Sequence, residues 1–127
     1  MKRKRARIRV LLIGENVDLC LFAALREQGY ETAVSGSSDD TELLVSSFRP
    51  HLIIVHVRHQ NRIDMATLRK CRAAARGAPV LAAVSVPGHE TTLRALEEGA
   101  TSFLSLPIEG AKVKRIVGGL VAGRGRT

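Results

Sequence analysis

Four side chains in this chain have types that could do chemistry and positions that could meet: Glu15, His56, His59 and His89. A carboxylate with several imidazoles suits zinc or another transition metal. The histidines come from separate segments, however, and none has the H-x-x-x-H spacing that sets two rings on one helical face. Ordinary solvated or hydrogen-bonded histidines are the simpler reading, and no metal or cofactor is expected. His56 alone could accept a phosphoryl group, since imidazole is a competent nucleophile. Nothing adjacent in sequence supplies the carboxylates or cation that such a transfer uses. His51, five residues earlier on the same extended run, faces the opposite side by period-2 alternation and is no co-ligand. The turn "IGEN" has one glycine, and neither G-x-G-x-x-G nor G-x-x-x-x-G-K-[ST] occurs, so no phosphate-cradling loop is indicated. "SVPGH" reads as a turn, and no Ser/His/Asp set has a nucleophile-elbow spacing. An enzyme is not expected. Cys20 and Cys71 fall inside helical segments and read as reduced thiols rather than a disulfide or metal pair.

The elements that would position these groups alternate strictly. "IRVLLI" (8 to 13) is β-branched and almost continuously apolar, as a strand covered on both faces should be. The stretch from 16 to 29 places Val17, Leu21, Ala24 and Leu25 on one helical face, with Gly29 as its stop. "ETAVSG" (31 to 36) is a shorter, more polar strand suited to a sheet edge. A helix capped by Ser38 or Asp39 follows, with Leu44 and Phe48 one turn apart, and ends at Arg49 and Pro50. "HLIIVHV" (51 to 57) is the most apolar β-branched run and predicts the central strand, carrying His56 at its far end. A helix around Asp64 to Ala75 turns Leu68 and Cys71 inward and stops at Gly77 and Pro79. "VLAAV" (80 to 84), the helix in "HETTLRALEEG", and the short strand "SFLSL" (102 to 106) follow. The last helix carries Val113, Ile116, Val117 and Leu120 as a stripe, weakened by Gly118 and Gly119 by up to roughly 2 kcal/mol against alanine. Five strand–helix units of this kind imply parallel strands, right-handed crossovers and a doubly wound α/β sheet with helices on both faces. In such sheets ligands meet the carboxyl ends of the strands, here at Gly14 to Asn16, His56 to His59, Val84 to Val86 and Leu106.

Composition bounds the rest. At 127 residues, 45% hydrophobic and 25% charged, the chain reads as one globular domain with a core from about 8 to 121, a basic segment 1 to 7 and a Gly/Arg tail 122 to 127. The net charge of +8 is terminal. Six bases lie in residues 1 to 9 and five in 112 to 127 with no acid in either stretch, which leaves nine bases against 12 acids and a body of −3. Basic tails are usually solvated, so nucleic acid is a secondary partner reading. The basic start resembles a signal-peptide n-region, but the apolar run after it is too short and lacks a cleavage site. No run approaches the roughly 18 apolar residues of a membrane span. The expectation is a cytoplasmic protein without membrane contact.

The order of elements and several phrases resemble the receiver domain of bacterial two-component response regulators, a flavodoxin-like module. "TTLRALEEGATSFLSLPI" (91 to 108) is similar to that family's fourth helix, small-residue turn and fifth strand with its aromatic and proline; "RPHLIIVHVR" resembles the phosphoacceptor strand and "APVLAAVS" the fourth. The resemblance implies strand order 2-1-3-4-5. It also implies where five functional groups should fall. The acidic pair that holds a divalent cation falls on Gly14 and Glu15, the acceptor aspartate on His56, the sensing hydroxyl on Val84 and the lysine on Leu106. Four of the five are absent. The resemblance is therefore to a degenerate pseudo-receiver, a phosphorylation-independent signalling module of a phosphorelay acting by protein contact. Receivers signal through the face of the fourth helix, fifth strand and fifth helix, so a protein partner or a second copy would dock on Arg94, Glu97, Phe103, Pro107, Lys112 and Arg115, with Glu98 and Glu109 nearby. The alternatives are a nucleic-acid-associated regulator using the basic termini and a flavodoxin-like ligand sensor or enzyme using the strand-end rim.

Overall fold

The computed structural model describes residues 7–15, 17–36, 40–58, 61–85 and 89–122, with His89 described in its backbone alone. Ten elements alternate: β1 (Arg9–Ile13), α1 (Leu19–Glu27), β2 (Glu31–Ser35), α2 (Thr41–Phe48), β3 (Leu52–Val57), α3 (Arg62–Ala74), β4 (Val80–Val84), α4 (His89–Glu97), β5 (Ser102–Ser105) and α5 (Gly110–Val121). All strand pairs are parallel and the order is β2-β1-β3-β4-β5, so the expected fold is the observed one. β3 is central, and the polar β2 lies at an edge as its composition suggested.

Alternation along the strands divides the core in two. Val10, Leu12, Leu52, Ile54, Leu81, Ala83 and Leu104 pack under α1 and α5. Leu11, Ile13, Ile53, Val55, Val57, Val80, Ala82 and Val84 pack under α2, α3 and α4, where Leu68, Cys71 and Ala95 meet them. Each fully buried aliphatic side chain contributes about 1.5–3 kcal/mol, so this two-sided burial is what commits the apolar runs to a covered sheet. Burial also pushes the Cys71 thiol up to about 12.

Helix starts differ from the sequence reading, for local reasons. Ser38 and Asp39, the expected caps of α2, lie outside the described residues; the cap is Asp40, whose carboxylate accepts from the Leu43 amide at 3.1 Å. Asp18 caps α1 by accepting from the Leu21 amide at 2.9 Å, which leaves Val17 ahead of the helix but still against the core. α3 begins two residues earlier than expected because Asn61 accepts from the Asp64 amide at 3.0 Å. α5 runs through Gly118 and Gly119 and buries Val121 as well as Val113 and Val117, with Ile116 and Leu120 partly covered. Among the described residues no helix is long and apolar enough to cross a membrane.

Candidate functional site

The order of the sheet reverses at β1, so the crevice at the carboxyl ends of β1 and β3 is where a doubly wound fold meets ligands. Gly14 and His56 do converge there, with Glu15 the next residue of the turn. His56 pairs in register with Ala83, which puts its side chain and that of Ser85 on the α1–α5 side of the sheet. Its Nε2 lies 2.5 Å from Ser85 Oγ. Val84, the position where the hydroxyl was looked for, is buried on the opposite face. The hydroxyl that faces His56 is thus one residue further on, and the period-2 rule applied across the β3–β4 register was the signal that would have found it.

Gly14 is shaped by the same imidazole. A Cβ at this position would stand 2.7 Å from His56 Cβ, so only glycine lets the two strands end this close together. Its amide donates to Ser35 O at 2.9 Å, tying the turn to β2. Below it, Leu106 is 7% exposed and joins Leu12, Val17, Leu21, Ile54 and His56 around a recess of about 10 Å³. A cavity of that size accommodates about one water at most. The peptide Leu106–Pro107 is cis.

Glu15 is exposed and belongs to a second cluster. Asp64 is buried, and its carboxylate accepts from the Arg58 amide at 2.8 Å, from Arg58 Nε at 3.0 Å and from Nη2 at 3.2 Å. Asp64 holds the Arg58 guanidinium above its ordinary pKa, with a lesser contribution from Glu15. This bidentate pair clamps the start of the β3–α3 loop beside the rim. The sequence reading placed Asp64 only at a helix start; an acid buried by its own loop has no local signature.

His59 and the His89 side chain lie outside the described residues, so the four-residue rim cluster is represented by Glu15 and His56. Among the described residues no group of three or more His, Cys, Asp or Glu side chains could hold a metal. His51 sits at the opposite end of β3, where its Nδ1 accepts the Arg9 amide at 2.9 Å, in keeping with its exclusion as a co-ligand.

On the α4–β5–α5 side, Arg94, Glu97, Pro107, Lys112 and Arg115 are all exposed, as is Glu109 at the start of α5. Phe103 is 40% exposed on β5, with Leu93 and Leu96 exposed on α4. Glu98 is partly covered and bridges Arg94 at 3.8 Å and Arg69 of α3 at 3.3 Å. This side thus exposes three large apolar side chains among residues of both charge signs, and Leu93 lines a groove shared with Arg62, Met65 and Arg69 of α3.

No family model matches the chain. The transcriptional regulatory protein ZraR of Salmonella typhimurium is 30% identical over 107 residues, which are 83% of this chain and 24% of that protein. The chain thus spans about a quarter of the length of the curated relatives it matches. Among solved structures, HP1043, an orphan response regulator of H. pylori, aligns with a TM-score of 0.72 at 26% identity over 92% of this chain and 99% of that one. The receiver domain of NtrX from Brucella abortus aligns with a TM-score of 0.77 at 19% identity, covering 90% of this chain and 98% of that one. The class is therefore defined by fold: this chain has the receiver fold of response regulators, the module of two-component signalling.

Proposed function

We propose that the chain is a receiver-like signalling module that works through protein contact without phosphorylation of an aspartate. The observation that carries this reading is the end of β3, where an imidazole bonded to Ser85 occupies the place of an acceptor carboxylate and packs against the Cα of Gly14. An acyl phosphate requires a carboxylate, and a cation beside it requires oxygen ligands that Gly14 and His56 do not provide. The buried Leu106 brings no ammonium to offset phosphoryl charge. These departures are chemically coherent, since each lost group serves only the phosphoryl chemistry of the others.

What such a module retains is surface. Phe103, Leu93 and Leu96 are exposed apolar side chains, and Arg94, Glu97, Lys112 and Arg115 exposed charges of mixed sign, a composition that suits a register-setting interface. A protein partner or a second copy docks on this face in a cytoplasmic phosphorelay setting, and the chain catalyses nothing itself. Incubation with acetyl phosphate and Mg²⁺ followed by intact mass measurement tests the first half, with an unmodified mass expected. A stoichiometric phosphoryl adduct on this chain would overturn it. The second half is tested by Arg94→Glu combined with Arg115→Glu, which should weaken self-association or partner capture at least tenfold in sedimentation or pull-down assays; unchanged association would remove this face from the reading.

A further inference from the structure

At the amino ends of the strands, far from the rim, α2 and α3 each return to the sheet through a tight turn, Arg49-Pro50-His51 into β3 and Arg76-Gly77-Ala78-Pro79 into β4. Among the described residues only two that are not glycine have positive φ, Arg49 at 54° and Arg76 at 48°. Both are in the left-handed region that glycine occupies at little cost and a branched or long side chain does not. Both line the same cavity, of about 400 Å³, whose floor is Val45, Pro50, Ala74, Ala75 and Ala78. That size falls in the roughly 300–1,000 Å³ range of small-molecule sites. Strain held twice at one cavity, by the same cationic residue, is the kind of outlier from which a binding role is inferred.

The electrostatics of the cavity have one sign. None of the residues lining it is acidic, and among the described residues neither Arg49 nor Arg76 has a carboxylate within ion-pairing distance. The carboxyl ends of α2 and α3 oppose an anion here, each with about half a negative charge. Arg9 already answers the first, its Nε donating to the carbonyls of Phe48 and Arg49 at 2.9 Å each. The two guanidinium charges that line the cavity, against roughly one unit from two helix ends of which Arg9 already answers one, leave it net positive. Ser46 and His51 add polar groups to the lining; with Nδ1 of His51 accepting the Arg9 amide, its neutral ring carries the proton on Nε2.

We infer that this cavity is an anion site for a small phosphorylated molecule of about mononucleotide size. The phosphate lies between the Arg49 and Arg76 guanidinium groups, which offer the forked donors that match it, and a flat apolar body lies on the alanine and proline floor. The site is separate from the β3 rim and does not depend on how the chain signals. A concave site of this size favours a free organic phosphate over a nucleic-acid backbone, which would need a groove or stripe.

The test is an ¹⁵N-NMR titration of the full chain with AMP, inorganic phosphate and adenosine at ionic strength held constant with KCl. AMP and phosphate should cause saturable shifts in the amides of residues 45–51 and 74–78, and adenosine should not. The R49G/R76G variant, whose glycines keep the left-handed turns, should bind AMP at least tenfold more weakly while melting no lower; R49N/R76N serves as a second pair, because asparagine also tolerates this backbone. Absence of saturable AMP shifts, or equal affinity in both variant pairs, would overturn the inference. So would a short DNA duplex engaging these amides when AMP does not, which would make the site a nucleic-acid contact.

Discussion

At the carboxyl ends of β3 and β4, His56, Ala83 and Leu106 close around a recess of about 10 Å³; at the amino ends of the same two strands, Arg49 and Arg76 line a cavity of about 400 Å³. In a doubly wound sheet the first place is the one expected to hold a ligand and the second is usually only a pair of turns. In the roles proposed above for the two ends, the chemistry is arranged the other way. The rim pairs a close Gly14–His56 approach with a buried leucine, and its charged groups are Glu15 and the Arg58–Asp64 pair beside it. The far end has gathered cations and kept its space open, at the cost of two strained residues. A scaffold's usual site and the site a particular sequence equips need not coincide, because each strand end is decorated independently by the loop that follows or precedes it.

The comparison can be broken most forcefully at Leu106. Leu106→Lys would put an ammonium into a recess lined mostly by aliphatic side chains, and a loss of about 2–3 kcal/mol in urea unfolding is expected, because a recess of about 10 Å³ has no room to hydrate the charge. Unchanged stability would show the rim to be open to water and the contrast between the two ends to be false. Gly14 comes next. Gly14→Ala should cost about 1–3 kcal/mol through overpacking against His56, and the cost should largely vanish in a His56→Gly background. Additive effects in that double-mutant cycle would mean that the glycine and the imidazole are not coupled.

At the far end the sign reverses. Arg49→Gly and Arg76→Gly should each stabilise the fold by about 0.5–1 kcal/mol, the left-handed strain relieved less the extra chain entropy of glycine. Destabilisation of that size in chemical unfolding would show that the arginines are held by packing rather than kept for their charge.

The two thiols give the smallest effect and a control on covering. Exposed Cys20, at the start of α1, should react with Ellman's reagent at pH 8 in the native state, and Cys71 should not. Because burial raises the Cys71 pKa from 9.0 to about 12, its contribution to stability is neutral below pH 9 and turns unfavourable above it, as the unfolded thiol ionises and the folded one does not. Two equally fast thiols would mean that α3 does not stay seated on the sheet.

Much of this was legible beforehand where the physics is local. β-branched runs, Gly and Pro stops and helical stripes gave the ten elements in order, and β3 as the centre, because two-sided burial writes itself as a continuous apolar strand. The residue types at Gly14, His56, Val84 and Leu106, the positions the receiver resemblance assigns to functional groups, were visible at once. What escaped depends on pairs of elements. Ser85 meets His56 only through the β3–β4 register, and the partner of the buried Asp64 is Arg58, six residues earlier across the β3–α3 loop. Arg49 and Arg76 carry no sequence mark of a left-handed turn, since glycine or asparagine is the usual sign. That they line one cavity follows from α2 and α3 packing side by side on one face of the sheet.

The central claim, that the rim has given up phosphoryl chemistry, is tested most directly by beryllofluoride with Mg²⁺, which mimics an aspartyl phosphate. In ¹⁵N-NMR of the full chain, the amides of residues 14, 15, 56 to 58, 84, 85 and 106 should stay where they are across the titration. Saturable shifts confined to those amides would show a working cation and acceptor site at the end of β3 and would contradict it.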